Sequence, residues 1–288
     1  MPVDLVQTPE ILLVDNGSLR PQPTLHLRRI ARRLSSRIPY PATATSLLHS
    51  DRIDPDRLEG KPAVLLFDEI SRRLEAGKTH FIILPCFIGP SLALTDYIPG
   101  QLNERRTRHP RLRVVVADSL ARTGPREDLR LARIVSHRVR DVITGHSPST
   151  APDVIVVDHG SPVRAVAALR DRIATEVAGH LAGSVHSVHP ASMERREDPE
   201  FAFNEPLLET ALMETGRNGR PVIVSLLFLS PGRHAGPDGD ITRICREARA
   251  ARPGLDITLT PPIGVDPGII DILADRTGEA LAELTAQT

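Results

Sequence analysis

The chain has 288 residues, of which 40% are hydrophobic and 25% are charged, and its formal net charge is zero. This composition is typical of a globular protein, and the charge balance gives no support for a nucleic-acid or membrane-surface partner. The two cysteines, Cys86 and Cys245, form no CxxC pair, which argues against a disulfide framework or a zinc ribbon. No apolar run approaches about 18 residues, and the first residues lack a signal-peptide pattern, so we expect a cytoplasmic protein without a membrane span.

The chain contains two similar segments. ILLVDNGS begins at Ile11, and VIVVDHGS begins at Val154. A short β-branched run of this kind predicts a buried strand that ends in a turn. Three more matches follow in the same order at shifts near 140: 81–98 with 222–241 (placing Asp96 opposite Asp240), 114–116 with 257–259, and 131–138 with 269–276. We therefore predict a duplicated domain with halves at 1–147 and 148–288, divided near the Ser- and Pro-rich segment 145–153.

Strand and helix patterns alternate within each half. In the second half the predicted order is strand 154–157, a helix capped by Ser161 with Pro162 at its first position, strand 184–189, helix 204–214, strand 222–229, helix 240–251, strand 257–260 and helix 266–282. Such alternation predicts an α/β fold, here two tandem domains, each a small parallel sheet with helices on both faces. Ligands of such sheets bind outside the carboxyl ends of the strands.

Three loops at this predicted edge of the second half carry metal-binding side chains. His159 follows the first strand, Glu194 the second and His234 the third. Imidazole is a common ligand for divalent transition metals, and a nearby carboxylate can add a ligand or accept a proton. Gly232, in the third loop, would let a bulky ligand approach the backbone. The three loops together predict a metal site, although each residue alone is commoner as a surface or structural residue.

Two other kinds of site fit the sequence less well. His159-Gly160-Ser161 could belong to a hydrolase, but the chain has no G-x-S-x-G elbow, and Ser161 fits a helix cap better. Neither DHGSPV nor DNGSLR matches the G-x-G-x-x-G pattern of dinucleotide-binding folds.

The segments VIVVDHGSP, ASMERRE, FNEPLLE and LLFLSPGRHAGPDGDI resemble the sirohydrochlorin chelatases, the class II tetrapyrrole chelatases, which include cobaltochelatases, ferrochelatases and tandem two-domain forms. The resemblance covers nearly the whole chain. It implies an enzyme that inserts a divalent metal into a tetrapyrrole without ATP, in cobalamin or siroheme biosynthesis. No permanently bound cofactor is then expected, because the metal (Co²⁺, Fe²⁺ or Ni²⁺, with Co²⁺ favoured) is a substrate.

The resemblance also implies roles for individual residues. His159 and His234 match the histidines that hold the incoming metal, and Glu194 matches an acidic residue that assists them. We expect the substrate carboxylates to meet arginines, because a guanidinium group can bind a carboxylate through two hydrogen bonds. The expected substrate-binding residues are Ser161, Arg195, Arg196, Gly232 and Arg233.

The first half lacks this chemistry. Asn16, Leu48 and Ala93 stand where the second half has its histidine, glutamate and histidine. We therefore expect one catalytic centre per chain, in the second half and facing a cleft between the halves. We also expect a monomer in which the two halves pair internally. A non-enzymatic metal or tetrapyrrole carrier and a metal-free sensor domain remain as alternatives.

Overall fold

The computed structural model describes residues 8–146 and 148–287. Those residues form two compact units. The first contains residues up to Leu120 together with the segment from Ile269 onward, and the second spans Ala121–Gly268. No helix among the described residues is long and apolar enough to cross a membrane.

The first unit is a four-stranded parallel sheet with the order β2-β1-β3-β4. The central strand β1 buries Ile11 to Val14 completely, so the apolar run is an internal strand as predicted. The elements of this unit are β1 (Glu10–Asp15), α1 (Pro21–Ser35), β2 (Ala42–Ser46), α2 (Leu66–Glu75), β3 (His80–Pro85), α3 (Ile98–Arg108), β4 (Arg113–Val116) and the C-terminal helix α8 (Pro267–Ala286).

The second unit repeats this sheet with the order β6-β5-β7-β8, also entirely parallel. Val154 to Val157 are fully buried in its central strand. Its elements are α4 (Arg130–His146), β5 (Asp153–Asp158), α5 (Arg164–His180), β6 (Ser187–Ser192), α6 (Leu208–Glu214), β7 (Val222–Leu226), α7 (Asp240–Ala251) and β8 (Ile257–Leu259). The predicted α/β fold with two parallel sheets is therefore confirmed.

The limits of the compact units differ from the predicted halves 1–147 and 148–288. Helix α4 lies in the first half of the sequence but packs on α5 and β7 of the second unit. Helix α8 ends the second half but belongs to the first unit, where the Arg276 guanidinium donates to the carbonyls of Ser119 and Leu120. The tail helix of each half thus lies in the unit built around the other half's sheet. The predicted boundaries 1–147 and 148–288 describe the duplication in the sequence, and they stay a prediction.

Four predicted elements of the second half need correction. Helix α6 begins at Leu208, four residues later than the predicted helix 204–214, and β7 ends at Leu226, three residues before the end of the predicted strand 222–229. The edge strand β6 begins at Ser187, three residues later than the predicted strand 184–189. Helix α5 begins at Arg164, with Val163 rather than Ser161 in the capping position. The Ser161 hydroxyl instead accepts a hydrogen bond from the Val163 amide at 3.0 Å, so it caps the turn that precedes the helix.

Candidate metal centre at the carboxyl edge of the second sheet

A tight turn after β5 places His159 next to Glu194. Gly160 has a φ of +91°, and a Cβ atom there would lie 1.9 Å from the Glu194 carbonyl oxygen, so the turn requires glycine. This approach lets the Glu194 amide donate to the His159 carbonyl at 3.2 Å. The side chains also meet, with 3.4 Å between His159 Nε2 and Glu194 Oε1. Both side chains are well exposed, at 45% and 60%.

The tautomer of the neutral His159 ring is assigned from its contact with Gly160. Its Nδ1 lies 3.1 Å from the Gly160 carbonyl oxygen, which can only accept a hydrogen bond. In the neutral ring the proton is therefore assigned to Nδ1, and the lone pair remains on Nε2. That lone pair faces the Glu194 carboxylate, so two electron-rich groups stand 3.4 Å apart. Such a pair suits a divalent metal ion.

The loop after β7 brings His234 to the same place. The centroids of the His159 and His234 rings are 4.5 Å apart, and the rings meet edge to face at 72°. His234 Nδ1 lies 2.7 Å from Asp240 Oδ2, and this hydrogen bond holds the pKa of the Asp240 carboxyl below its ordinary value. The carboxylate thus fixes the ring and leaves Nε2 as the free nitrogen, an arrangement common among metal-binding histidines.

The structure therefore brings together the three side chains that the sequence singled out. The His159 side chain lies close to each of the other two, but no three His, Cys, Asp or Glu side chains among residues 8–146 and 148–287 form a ready-made cation cage. Asp240 was missed as a functional residue because its six-residue separation from His234 shows no periodic or motif signal in the sequence.

A buried polar network underlies the turn that carries His159. The Asp158 carboxylate accepts from the Gly160 amide at 3.0 Å and from the Ser192 hydroxyl at 2.7 Å. Burial raises the pKa of Asp158, and the nearby Arg170 charge opposes that rise. Asn204 holds the other side of the turn by accepting from the Ser161 amide and donating to its carbonyl, both at 2.9 Å. The sequence did not predict this network, because Arg170 lies on a helix whose pattern shows only an apolar face.

The five predicted substrate-binding residues have different surroundings. Gly232 lies in the third loop, and its carbonyl accepts from the Gly236 amide at 3.1 Å. The Ser161 hydroxyl is engaged in its own turn, as described above. Arg233 has 76% of its side chain exposed, and its Nε lies 3.9 Å from Asp240 Oδ2.

The other two predicted arginines follow Glu194 in the second loop. Arg195 donates to Glu205 at 2.6 Å and to the carbonyls of Arg196 and Glu197 at 2.9 and 3.1 Å, so it holds the loop together. The Arg196 guanidinium lies 5.2 Å from the centre of the Phe201 ring, within the range of a cation–π contact.

The first unit has the same turn without the same chemistry. A Cβ on Gly17 would lie 1.9 Å from the Leu48 carbonyl oxygen, and the Leu48 amide donates to the Asn16 carbonyl at 3.1 Å. These two contacts reproduce those of Gly160, Glu194 and His159. The structure thus places Asn16 and Leu48 at the positions that His159 and Glu194 occupy in the second unit.

The loop after β3 in the first unit differs in length from the loop after β7 in the second unit. The residue that aligns with Asp240 also differs from the one predicted. The Arg106 side chain donates to the Val114 carbonyl, as the Arg249 side chain does to the Ile257 carbonyl, which fixes the alignment of α3 with α7. This register places Tyr97, not Asp96, opposite Asp240, so the sequence alignment at Asp96 was wrong by one residue. From the shared phenylalanine, Phe87 or Phe228, the loop of the second unit is two residues longer.

Apolar side chains occupy this edge of the first sheet. The group, here called the apolar edge, consists of Leu19, Leu48, Leu92 and Tyr97, which are exposed at 61%, 45%, 51% and 39%. Leu48 stands for Glu194 and Tyr97 for Asp240. The first unit has therefore replaced metal-binding chemistry with exposed apolar surface at the same edge.

Comparison with known proteins places this α/β chain in a class with a tandem chelatase-like fold. The CbiX family model matches residues 10–142 and 153–280, and the chain belongs to that family. The two matches follow the two repeats and confirm the resemblance noted from the motifs. A search of curated protein sequences found no match.

Solved structures agree on the fold. SirB from Bacillus subtilis with Fe³⁺ is 18% identical, with a TM-score of 0.73 and 98% of each chain covered. The sirohydrochlorin chelatase SirB from Bacillus subtilis subspecies spizizenii in complex with cobalt is 17% identical, with a TM-score of 0.70 and the same coverage. CbiX, described as the terminal enzyme of siroheme biosynthesis in denitrifying bacteria, is 17% identical, with a TM-score of 0.58 and coverage of 95% of this chain and 99% of that one.

Proposed function

We propose that the chain is an ATP-independent chelatase that inserts a divalent metal into sirohydrochlorin or a closely related tetrapyrrole. The observation that carries the proposal is the meeting of His159, Glu194 and His234, with the His159 Nε2 lone pair 3.4 Å from a carboxylate. Membership of the CbiX family and the fold shared with SirB support the same reaction. Cobalamin or siroheme biosynthesis in the cytoplasm is the setting we propose.

The proposed reaction exchanges one metal ion for two protons. His159 and His234 hold the incoming ion through neutral imidazole nitrogens, which bind divalent metals less firmly than thiolates and so can release them. As the metal enters the macrocycle, the two pyrrole N–H bonds break, the metal bonds to the four macrocycle nitrogens, and its bonds to His159 and His234 break. Glu194 accepts one of the departing protons, because its exposed carboxylate lies beside the metal position. The second proton passes to solvent.

The tetrapyrrole carboxylates need cationic partners. We assign this role first to Arg233, because its side chain is mostly exposed beside the metal position, and second to Arg196. Arg195 supports the loop through Glu205 and reaches the substrate indirectly. Ser161 and Gly232 shape the backbone that the macrocycle approaches.

We propose Co²⁺ as the preferred metal, with Fe²⁺ and Ni²⁺ as competitors. Structures of SirB are described with Fe³⁺ and with cobalt, and imidazole ligands accept all of these metals. Parallel chelation assays with each metal will rank them. The rate with Co²⁺ should be the highest, and equal or higher rates with Fe²⁺ or Ni²⁺ would contradict this choice.

The reaction is tested by following the absorption change of sirohydrochlorin on mixing with Co²⁺ and protein. His159→Ala and His234→Ala should each lower the rate at least about 100-fold, because each removes a metal ligand. Asn16→Ala, at the matching position of the first unit, is the control and should retain the full rate. Equal rates for all four proteins would refute the proposal.

A carrier that binds metal or tetrapyrrole without turnover is the second candidate. The apolar edge of the first unit favours it, since exposed apolar side chains suit the face of a macrocycle better than they suit catalysis. The two functions separate in a titration with excess substrates. An enzyme converts many equivalents per chain, whereas a carrier stops after one.

A further inference from the structure

Arg170 is a charged side chain in the interior of the second unit, with only 1% of its side chain exposed. Burying a guanidinium costs free energy unless it is fully partnered, so a buried arginine needs a reason. Its outer side is paired with Asp171, whose carboxylate accepts from Arg170 Nε at 2.8 Å. Its inner nitrogen, Nη1, points into the network below the His159 turn.

That inner nitrogen contacts both sides of the turn. On one side Nη1 donates to the Ser192 hydroxyl and lies 3.7 Å from Asp158 Oδ1. On the other side it donates to the Asn204 carbonyl at 3.1 Å. Asp158 holds the Gly160 amide and Asn204 holds both backbone groups of Ser161. One guanidinium therefore links the residues that fix the backbone of Gly160 and Ser161, immediately after His159.

The first unit shows what the turn needs when no histidine is present. Leu27, nine residues after Ser18, occupies the place that Arg170 occupies nine residues after Ser161, and it is 3% exposed. The Ser18 amide is held there by the Ser50 hydroxyl at 3.2 Å. The backbone turn forms all the same, so the fold does not require an arginine. The guanidinium occurs in the unit whose turn carries an imidazole.

We propose that Arg170 is a positioning residue for the metal site, which acts by locking the orientation of His159. It touches neither metal nor substrate and works through Asp158, Ser192 and Asn204. The inference rests on the proposed function, since it assigns Arg170 to the handling of the same metal ion. Residues that orient metal ligands contribute about 10- to 100-fold to metal affinity or activity.

The test compares Arg170→Leu, which copies the first unit, with Arg170→Lys and the unaltered chain. Arg170→Leu should weaken Co²⁺ binding and lower kcat by about 10- to 100-fold, while KM for the tetrapyrrole stays within about twofold. Arg170→Lys should recover part of the loss. A folded Arg170→Leu protein with unaltered Co²⁺ affinity and kcat would overturn the inference.

A matched control comes from Arg276, the other fully buried arginine among the described residues. It lies in the first unit, so Arg276→Leu removes a buried guanidinium without touching the His159 turn. Co²⁺ affinity should be unchanged in folded Arg276→Leu. An equal loss in both leucine variants would show that general destabilisation explains the effect and would overturn the inference. If Arg170→Leu does not fold, Ser192→Ala removes the hydroxyl that bridges Arg170 to Asp158 and should give a smaller loss in the same direction.

Histidine NMR of the metal-free protein gives a readout that does not depend on turnover. The His159 ring signals, assigned by their loss in His159→Ala, should show one form with the proton on Nδ1, and Arg170→Leu should shift or average them. Unchanged His159 signals in Arg170→Leu would contradict the inference. If the unaltered protein shows no chelation, the proposed function is refuted. The effect of Arg170→Leu on the His159 signals is still measured, so the two failures can be told apart.

Discussion

The two units build the same turn at the same sheet edge and equip it differently. Gly17 and Gly160 make the same close approach to the next loop, and each turn begins with an aspartate that accepts from the glycine amide. Those residues serve the backbone. Only the second unit adds His159, with a cation beneath the turn. The turn depends on the residues that both units share, whereas the proposed metal site depends on residues of the second unit. We therefore expect that each set can be changed without loss of the other.

The aspartates that begin the two turns differ in their charged neighbours. Asp158 has Arg170 nearby, whereas Leu27 stands at that place in the first unit. Without such a cation, burial raises the pKa of Asp15 to about 6 from 3.8. The first unit thus keeps a carboxylate that is unfavourable at neutral pH. In the second unit burial also raises the pKa of Asp158, and the Arg170 guanidinium opposes that rise.

The largest effect should come from Glu194→Gln. Loss of a proton acceptor lowers the rate of a proton-transfer reaction by about 10² to 10⁴. Chelation kinetics should show this loss in kcat. Leu48→Gln, at the equivalent position of the first unit, is the control and should leave kcat unchanged. A Glu194→Gln protein with full activity would mean that protons leave by another route.

Asp15→Asn should stabilise the first unit at neutral pH. Between pH 3.8 and about 6 the folded chain keeps a proton on Asp15 that the unfolded chain has lost, so stability falls as pH rises through this window and stays lower above it. Asparagine can still accept the Gly17 hydrogen bond and should add up to about 3 kcal/mol at pH 7. Denaturant unfolding at pH 4 and pH 7 measures the change.

The matching substitution in the second unit should stabilise less. Burial raises the pKa of Asp158 as well, but Asp158→Asn also removes the carboxylate 3.7 Å from the buried Arg170 Nη1, so the gain at pH 7 should be smaller than for Asp15→Asn. An equal gain of stability in both variants would contradict the distinction drawn between the two aspartates.

Asp240→Asn should weaken metal binding by about 10- to 100-fold, because Asp240 orients the His234 ring through a 2.7 Å hydrogen bond. Co²⁺ titration checks this prediction. Tyr97→Asn alters the equivalent position of the first unit and should not change the affinity. Equal affinities for Asp240→Asn and the unaltered chain would remove Asp240 from the site.

The smallest effect on Co²⁺ binding should come from placing the three side chains of the candidate site in the first unit without their supporting residues. The triple variant Asn16→His, Leu48→Glu, Ala93→His should bind a second Co²⁺ at least about 10-fold more weakly than the first, because no partner equivalent to Arg170 or Asp240 is present. Adding Leu27→Arg and Tyr97→Asp should tighten it. A second site of equal strength in the triple variant would show that the supporting residues contribute little.

The sheets and the grouping of the three candidate side chains could be predicted from the sequence because both leave local signals. Apolar runs predict buried strands, and the end of a parallel strand places the residue after it at the binding edge, so His159, Glu194 and His234 could be grouped. Arg170 and Asp240 could not be predicted, since their roles depend on tertiary contacts with Ser192 and His234. The placement of α4 and α8 with the opposite unit's sheet was missed for the same reason.

The most direct test of the central claim is the stoichiometry and location of bound metal. Co²⁺ titration of the full chain, followed by its visible absorption, should give one site per chain. The double variant His159→Ala, His234→Ala should abolish it, whereas Asn16→Ala should preserve it. Two sites per chain, or one site that survives in the double variant, would contradict the assignment of the metal to the second unit.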